Sequence, residues 1–257
     1  MIQRTEKGSC ARTALVTGAS RGIGAGIARA LAAAGHRVAV GFREREAEAR
    51  ALVEEIAAAG GGACYVRLDQ TDAASVSSAL SLVQEAFGPV ELLINNAAIS
   101  QERPFLDLAD ADWERMLDVN LLGPVRCARA VLPGMLERGF GRIVNVSSIG
   151  GQWGGRNQVH YAASKAALIN FTRSLSNLYA AQGVTANAIA PGLVATEMSA
   201  PELATAAGKA KLKQIPLGRL GTLEEVGATA AFLCSDGAAY VSGETFNLNG
   251  GMHRERS

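Results

Sequence analysis

Cysteine is scarce in this sequence and never falls in a metal-binding spacing. The 257 residues contain four cysteines, which are widely separated at positions 10, 64, 127 and 234. Because no Cys-x-x-Cys pair is present, neither a zinc site nor a dense disulfide framework is predicted. We therefore expect no metal site and a reducing, cytoplasmic location.

Net charge and long apolar runs are also lacking. Twenty-five Lys and Arg residues balance 24 Asp and Glu residues, which leaves a formal charge of +1 without a basic block. This balance argues against nucleic acid and anionic membrane surfaces as partners. The longest uncharged stretch, 174–196, is interrupted by Gly183, Pro191 and several polar residues, so no membrane-spanning helix is predicted.

Apolar residues, by contrast, make up 48% of the chain, and 29 residues are glycine. This content is sufficient for a large core and excludes extensive disorder. At this length one α/β domain is the simplest prediction. We expect the catalytic domain to cover residues 12–251, between a loose N-terminal arm (1–11) without secretory-signal character and a C-terminal tail (252–257).

Short β-branched runs alternate with longer amphipathic or Ala-rich runs, a pattern typical of βαβ units. Strands are predicted near Thr13–Thr17, Arg37–Phe42, Ala63–Leu68, Leu92–Asn95, Arg142–Ser147, Thr185–Ala190 and Thr245–Leu248. Helices are predicted near Gly22–Ala34, Glu44–Ala59, Ala73–Phe87, Asp110–Glu137, Gln158–Gln182, Pro201–Gln214 and Leu223–Cys234. The pattern indicates a single-domain α/β Rossmann-type fold, a doubly wound parallel seven-stranded sheet with helices on both faces. Ligands of such sheets bind at the carboxyl ends of the strands, and segment Leu193–Leu220 is a candidate lid over that site.

A glycine-rich turn joins the first strand to the first helix. Glycines at such a turn let a pyrophosphate approach the amides of a helix N-terminus. The candidate cofactor contacts here are Gly18, Ser20, Arg21, Gly22, Ile23 and Gly24. Their spacing differs from G-x-G-x-x-G, and a plain strand-to-helix turn is the alternative interpretation.

Arg43 follows the second strand, where an enzyme that prefers NAD usually carries an acidic residue. The acidic position is occupied by Phe42, and Arg43 together with Arg21 could bind a 2′-phosphate. We therefore predict NADP(H) as the cofactor. The alternative is that Arg43 only begins a solvent-exposed helix held by local ion pairs.

Polar residues in two further places are candidates for the site. Asn95 and Asn96 end the fourth strand beside Ala97, where their amides could tie neighbouring backbones, although turn chemistry alone is an alternative. Asn120 lies inside a predicted helix, an unfavourable place for Asn, which suggests a buried hydrogen-bonding or water-holding role.

The segment from Ser148 to Lys165 carries the most chemical information. Tyr161 and Lys165 are four residues apart on one predicted helix, so they face the same side. An adjacent ammonium would lower the pKa of a phenol and make Tyr161 a better acid or base. Ser148 ends a strand and could bind a substrate carbonyl. An ordinary surface Tyr and Lys would be the alternative if this motif stood alone.

In order and spacing, these motifs make the chain similar to the short-chain dehydrogenase/reductase family from Thr17 to Gly251. The matching positions are Thr17-Gly18-x-x-x-Gly22-x-Gly24, Asp69, Asn95-Asn96-Ala97, Asn120, Ser148, Tyr161, Lys165 and Pro191-Gly192-x-x-x-Thr196. Within the family it most resembles 3-oxoacyl-[acyl-carrier-protein] reductases and related carbonyl reductases. Ala98 departs from the usual Gly by one methyl group.

The resemblance implies a role for each matching residue. Tyr161 would donate a proton to the substrate oxygen, Lys165 would bind the nicotinamide ribose and lower the Tyr161 pKa, and Ser148 would orient the carbonyl. Asn120 would hold a water in the proton relay. The cofactor would also contact Asp69, Asn96, Ala97, Pro191, Gly192, Val194 and Thr196.

The function expected from these roles is NADPH-dependent reduction of a ketone or 3-oxoacyl thioester, a small-molecule carbonyl substrate, by a homotetramer. An alcohol dehydrogenase working in the oxidative direction is one alternative, and a non-catalytic nucleotide sensor is another. An acyl carrier protein is a doubtful partner. The resemblance places basic docking residues at two positions that here hold Gly139 and Gln182, although Arg138 and Arg142 lie near the first.

Overall fold

The computed structural model describes residues 11–155, 157–196, 205, 210 and 212–252. The arm predicted for residues 1–11 and the tail predicted for 252–257 fall outside these ranges apart from one residue each. Most of the predicted helix Pro201–Gln214 and part of the candidate lid Leu193–Leu220 also fall outside them.

Strands and helices alternate along the described chain as the sequence pattern predicts. The strands are β1 (Thr13–Val16), β2 (Arg37–Phe42), β3 (Ala63–Arg67), β4 (Leu92–Asn95), β5 (Gly141–Val146), β6 (Val184–Pro191) and β7 (Thr245–Leu248). The helices are α1 (Gly22–Ala33), α2 (Glu46–Ala58), α3 (Ala73–Phe87), α4 (Asp110–Leu117), α5 (Gly123–Arg138), α6 (Gly150–Trp153), α7 (Val159–Tyr179) and α8 (Leu223–Cys234).

All the strand pairs are parallel, and the sheet order is β3-β2-β1-β4-β5-β6-β7. The order reverses between β1 and β4, where Val16 pairs with Ile94. A crevice opens at such a reversal because the connections from the two strands leave in opposite directions. The predicted fold class is therefore confirmed.

Two separate apolar cores cover the two faces of the sheet. Alternation along β1 shows the division, since Ala14 and Val16 pack with α1, α2 and α8, whereas Leu15 packs with α3 and α5. This is the period of two that a strand buried on both faces imposes. Both faces are buried, so the exposed ends of the strands are left to form a site.

The prediction of one continuous helix over Asp110–Glu137 is wrong, because the helix is interrupted near its middle. It divides into α4 and α5 around a π turn at Asp118–Leu122. Asn120 lies in this turn and is fully buried. A π turn widens the backbone ring and is frequent at functional sites. The short helix α6 was not predicted, and the other helix and strand ends that differ from the prediction differ by one to three residues, as helix ends commonly do.

Within the described ranges, no helix combines the length and apolar character that crossing a membrane requires.

Candidate active site

A cavity of about 410 Å³ opens at the carboxyl edge of the sheet, beside the reversal between β1 and β4. Most of the predicted cofactor and catalytic residues line it together. These are Gly18, Ser20, Arg21, Gly22, Ile23, Gly24, Arg43, Asp69, Asn96, Ala97, Tyr161, Lys165 and Thr196. The structure thus brings together residues that are up to 178 positions apart in the chain, counting from Gly18 to Thr196.

Three predicted cofactor contacts do not line this cavity. Pro191 is the last residue of β6, and the Gly192 amide donates to Leu248 O at 2.9 Å. Val194 is buried and pairs with Gly221 in an isolated bridge. These residues carry the chain from β6 to Thr196, which does face the cavity.

The glycine-rich turn is packed against the end of β4. A Cβ at Gly24 would lie 2.5 Å from Asn96 Nδ2 and 2.6 Å from Gly18 O, so no larger residue fits there. Asn96 Nδ2 donates to Thr17 O at 2.9 Å and to Gly18 O at 3.0 Å. The resulting bare backbone cradle at the start of α1 fits the phosphates of a dinucleotide.

Arg43 lies at the far end of the cavity, after β2. Its Nη2 is 2.6 Å from Glu44 Oε1, and both residues line the cavity. Phe42, the residue in the acidic position, is only 5% exposed. Arg43 forms the local ion pair of the alternative interpretation and also borders the cavity, but it does not begin a helix, because α2 starts at Glu46.

Asp69 follows β3 at the same end of the cavity. Its Oδ1 accepts hydrogen bonds from the Thr71 amide at 3.0 Å and the Thr71 hydroxyl at 2.7 Å. Burial raises the pKa of the Asp69 carboxyl, but the Thr71 hydrogen bonds and the positive charge of Arg43 outweigh burial, so the pKa is lowered overall. Asp69 is thus an anionic acceptor beside the cavity.

Tyr161 and Lys165 occupy the face of α7 that looks into the cavity. Lys165 Nζ lies 5.8 Å from the centre of the Tyr161 ring and donates to Val146 O at 2.8 Å. Complete burial lowers the pKa of Lys165 to about 8. Lys165 is thus held between the end of β5 and the phenol.

Ser148, in the loop after β5, lies close to Tyr161, since a Cβ at Gly150 would lie 3.4 Å from Ser148 Oγ and 3.9 Å from Tyr161 Cε1. Burial raises the pKa of the Tyr161 phenol, and the nearby Ser148 hydroxyl opposes the rise without cancelling it. We expected Lys165 to lower that pKa. In the structure burial dominates instead, because the phenol loses more solvation than its neighbours replace.

Asn120, in the π turn, does not line the cavity itself but holds Ile99, which does. Its Oδ1 accepts from the Ile99 amide at 2.9 Å, and its Nδ2 donates to Ile99 O at 2.9 Å and to Ser164 Oγ at 3.2 Å. Asn120 therefore fastens the segment that follows β4 to helix α7. Its side chain has the buried hydrogen-bonding role that its unfavourable helical position suggested.

Gln70 is a site residue that sequence reasoning missed. It lines the cavity, is 4% exposed, and donates through Nε2 to Ala97 O at 3.0 Å and Val119 O at 2.8 Å. Gly123 makes room for it, since a Cβ there would lie 2.5 Å from Gln70 Cγ. The only signal in the sequence was its place directly after Asp69 at the end of a strand.

The fold and this site can be compared with known proteins. Residues 18–253 match a family model of short-chain dehydrogenases/reductases that carries the description Enoyl-(Acyl carrier protein) reductase. The chain belongs to the short-chain dehydrogenase/reductase family. The enzyme is an NADP-dependent oxidoreductase, as the sequence predicted.

Curated relatives and a solved structure cover nearly the whole enzyme. It is 40% identical over 242 residues to a 3-oxoacyl-[acyl-carrier-protein] reductase of Escherichia coli (strain K12), covering 94% of this chain and 97% of that one. It is 42% identical over 243 residues to the same-named reductase of a Synechocystis strain, with the same coverage. A gluconate 5-dehydrogenase from Burkholderia cenocepacia, solved with NADP and tartrate, superposes with a TM-score of 0.88 at 33% identity over 94% of each chain.

Proposed function

We propose that the enzyme reduces a ketone or a 3-oxoacyl thioester to the hydroxy compound with NADPH, and that Tyr161 is the proton donor. The observation that carries this proposal is the placement of Tyr161, close to Ser148 and next to Lys165, in the wall of the dinucleotide cavity. NADPH, when bound, supplies the hydride for the carbonyl carbon.

The chain's own groups handle the proton and the carbonyl oxygen. The raised pKa keeps Tyr161 protonated at neutral pH, which suits a proton donor. Ser148 presents a hydroxyl beside the phenol, so one oxygen of the substrate could accept from both groups. Lys165, fixed by Val146 O, supplies positive charge that favours the phenolate left after proton transfer.

The cofactor contacts follow from the same geometry. The turn at Gly18, Gly22 and Gly24 would hold the pyrophosphate, and Arg43 with Arg21 would hold the 2′-phosphate. Asp69 would face the adenine and Asn96 the adjoining ribose. The chain from Pro191 to Thr196 would reach the nicotinamide.

The substrate we favour is a free ketone or a small thioester rather than a carrier-bound chain. Gly139 and Gln182 stand where basic docking residues are expected. Both precede their strands, β5 and β6, and thus lie at the edge of the sheet opposite the cavity, so the expectation that these positions border the mouth of the active site is wrong for this chain. Arg142 is 5% exposed and donates to Gly141 O and Gly183 O, so it cannot replace a docking residue.

Oxidation of an alcohol by the same residues is the second candidate. It is favoured by the structural likeness to the gluconate 5-dehydrogenase. The same residues would serve both directions, with Tyr161 donating the proton in reduction and accepting it in oxidation.

A homotetramer remains our proposal for the assembly. On α7, Ala163 and Ala166 are exposed and face away from the core, whereas Ala162 is buried inside the chain. Small exposed residues permit a second helix to approach closely. Light scattering coupled to gel filtration tests this, and a monomeric mass would contradict it.

The deciding experiment is a panel of ketones, 3-oxo esters and 3-oxoacyl thioesters assayed with NADPH, and of the corresponding alcohols assayed with NADP. We expect NADPH oxidation with at least one compact carbonyl compound near neutral pH. Turnover only of alcohols would favour the second candidate, and no turnover in either direction would contradict the reductase.

A further inference from the structure

His160 stands directly before Tyr161 on α7 but points away from the cavity. Its side chain is fully buried, and its ring meets the ring of Trp113 on α4 edge to face, with the centres 5.9 Å apart. Its Nε2 lies 3.0 Å from Gln101 Oε1. Neither the cofactor cavity nor the proposed proton transfer uses this residue.

The hydrogen bonds around Gln101 fix the tautomer of His160. Gln101 Nε2 donates to Asp112 Oδ1 at 3.0 Å, and a carboxylate can only accept. The carbonyl oxygen of the Gln101 amide must then face His160, so His160 Nε2 carries the proton and donates. Burial and the nearby Arg103 lower the His160 pKa, and the charge of Asp112 opposes them without prevailing. The ring is therefore neutral.

Gln101 lies in the middle of the segment 99–103, which we term the substrate-side loop. At one end Ile99 lines the cavity and is held through both main-chain groups by Asn120. At the other end the Arg103 amide donates to Asn157 O at 2.8 Å, just before α7. The loop thus runs from the cavity past the start of the catalytic helix.

The middle of the loop is anchored by the two partners of Gln101. Asp112 belongs to α4 and also accepts from Arg103 Nη1 at 2.8 Å, so it ties the loop to α4. His160 is the only described residue of α7 that hydrogen-bonds the Gln101 side chain. Its loss would leave a partly buried carbonyl without a donor and would free the middle of the loop from α7, while the far end stays bonded to residues 157 and 158 before that helix.

We infer that His160 is a positioning residue that fixes the substrate-side loop against α7 and thereby sets the affinity for the carbonyl substrate. The expected change in substrate affinity rests on the proposed reductase function. The expected anchoring of the loop rests on the hydrogen bonds alone. Two neighbouring residues then have different roles, since Tyr161 donates the proton and His160 positions the loop that borders the substrate.

Three substitutions in the full-length protein test the inference. His160→Phe keeps a ring against Trp113 and removes the donor, whereas His160→Gln can place an N–H donor near the Nε2 position. His36→Phe is the matched control, because His36 is a buried histidine at the opposite edge of the sheet that accepts from the Arg12 amide.

The kinetic measurement uses NADPH and the carbonyl compound of the panel that the wild-type enzyme reduces fastest. Removing one donor from a partly buried acceptor should raise KM about tenfold in His160→Phe. The Kd for NADPH, read from nucleotide fluorescence, should not change, and kcat should change by less than about threefold. His160→Gln should restore KM, and His36→Phe should leave it unchanged.

Hydrogen exchange supplies a measurement that needs no substrate. The amides of Ile99 and Arg103 should lose protection in His160→Phe while those of α8 keep theirs. If His160→Phe does not fold, Gln101→Leu breaks the same bond from the loop and should give the same local loss.

Unchanged loop protection in the folded variant would overturn the inference, as would an equal KM rise in His36→Phe or a failure of His160→Gln to restore KM. A panel without any turnover would instead contradict the proposed function. The exchange result would still decide the role of His160.

Discussion

Lys165 and Val146 are joined by a 2.8 Å hydrogen bond from the ammonium nitrogen to the main-chain oxygen, and the Ser147 hydroxyl returns a 2.9 Å bond to Lys165 O. Helix α7 and the end of β5 are thus linked in both directions. This link keeps the Lys165 ammonium group buried and without water, so its ionisation affects the free energy of unfolding.

We predict that the stability contributed by Lys165 rises with pH. Burial lowers its folded pKa from 10.5 to about 8, so between these values the unfolded chain binds a proton that the folded chain does not. Relative to Lys165→Met, the wild-type free energy of unfolding should therefore increase by about 2 kcal/mol from pH 7 to pH 9.5. Urea denaturation at several pH values measures it, and a constant difference would show that Lys165 is not desolvated.

Replacing Tyr161 by Phe should remove the proton donor and preserve the ring packing. We expect kcat to fall by about 10² to 10⁴, the usual share of general acid catalysis, while Tm and the Kd for NADPH stay near wild type. Tyr240→Phe is the control, since Tyr240 is fully exposed. Retention of more than about a tenth of the wild-type rate, with chemistry limiting, would refute the assignment.

Arg43 should contribute to the preference for NADPH over NADH. We expect Arg43→Ala to weaken NADPH binding about tenfold or more, as loss of a charge-assisted hydrogen bond would, and to leave NADH binding unchanged. Arg50→Ala is a suitable control, because Arg50 pairs with Glu46 on α2 and does not line the cavity. Fluorescence titration gives both Kd values. Equal affinities for the two nucleotides in the wild-type enzyme would contradict this prediction.

A carrier protein should bring no large kinetic advantage. We expect kcat/KM for a carrier-bound 3-oxoacyl substrate to be close to that for its short thioester analogue, and to depend weakly on salt. The reason is that Arg142 is buried and Gln182 is uncharged, so the exposed Arg138 has no basic partner at the second expected position. A much higher kcat/KM that falls steeply with added salt would reveal a working carrier dock.

Sequence reasoning succeeded where one local pattern determines one structure. Both ends of every strand were placed to within one residue, because β-branched runs buried on both faces have a sharp signature. The residues of the glycine-rich turn were identified because a helix N-terminus against a phosphate tolerates few alternatives.

The rest depends on contacts that no local pattern encodes. The π turn keeps helical periodicity on both sides, so residues 110–137 resemble one helix. The role of Gln70 depends on two carbonyls that lie 27 and 49 positions away. The sequence suggested that one neighbour, Lys165, would lower the Tyr161 pKa. In the folded chain, burial of the phenol raises that pKa instead.

The π turn at Asp118–Leu122 also limits how the length of this segment can vary. One extra residue per turn offsets the angular phase of α5 from that of α4, and this offset turns Asn120 inward. Deleting a single residue there would restore an ordinary helix and rotate everything beyond it by about 100°. Homologues that differ in length by one residue at this point would therefore present another side chain to Ile99, even where all the neighbouring residues are the same.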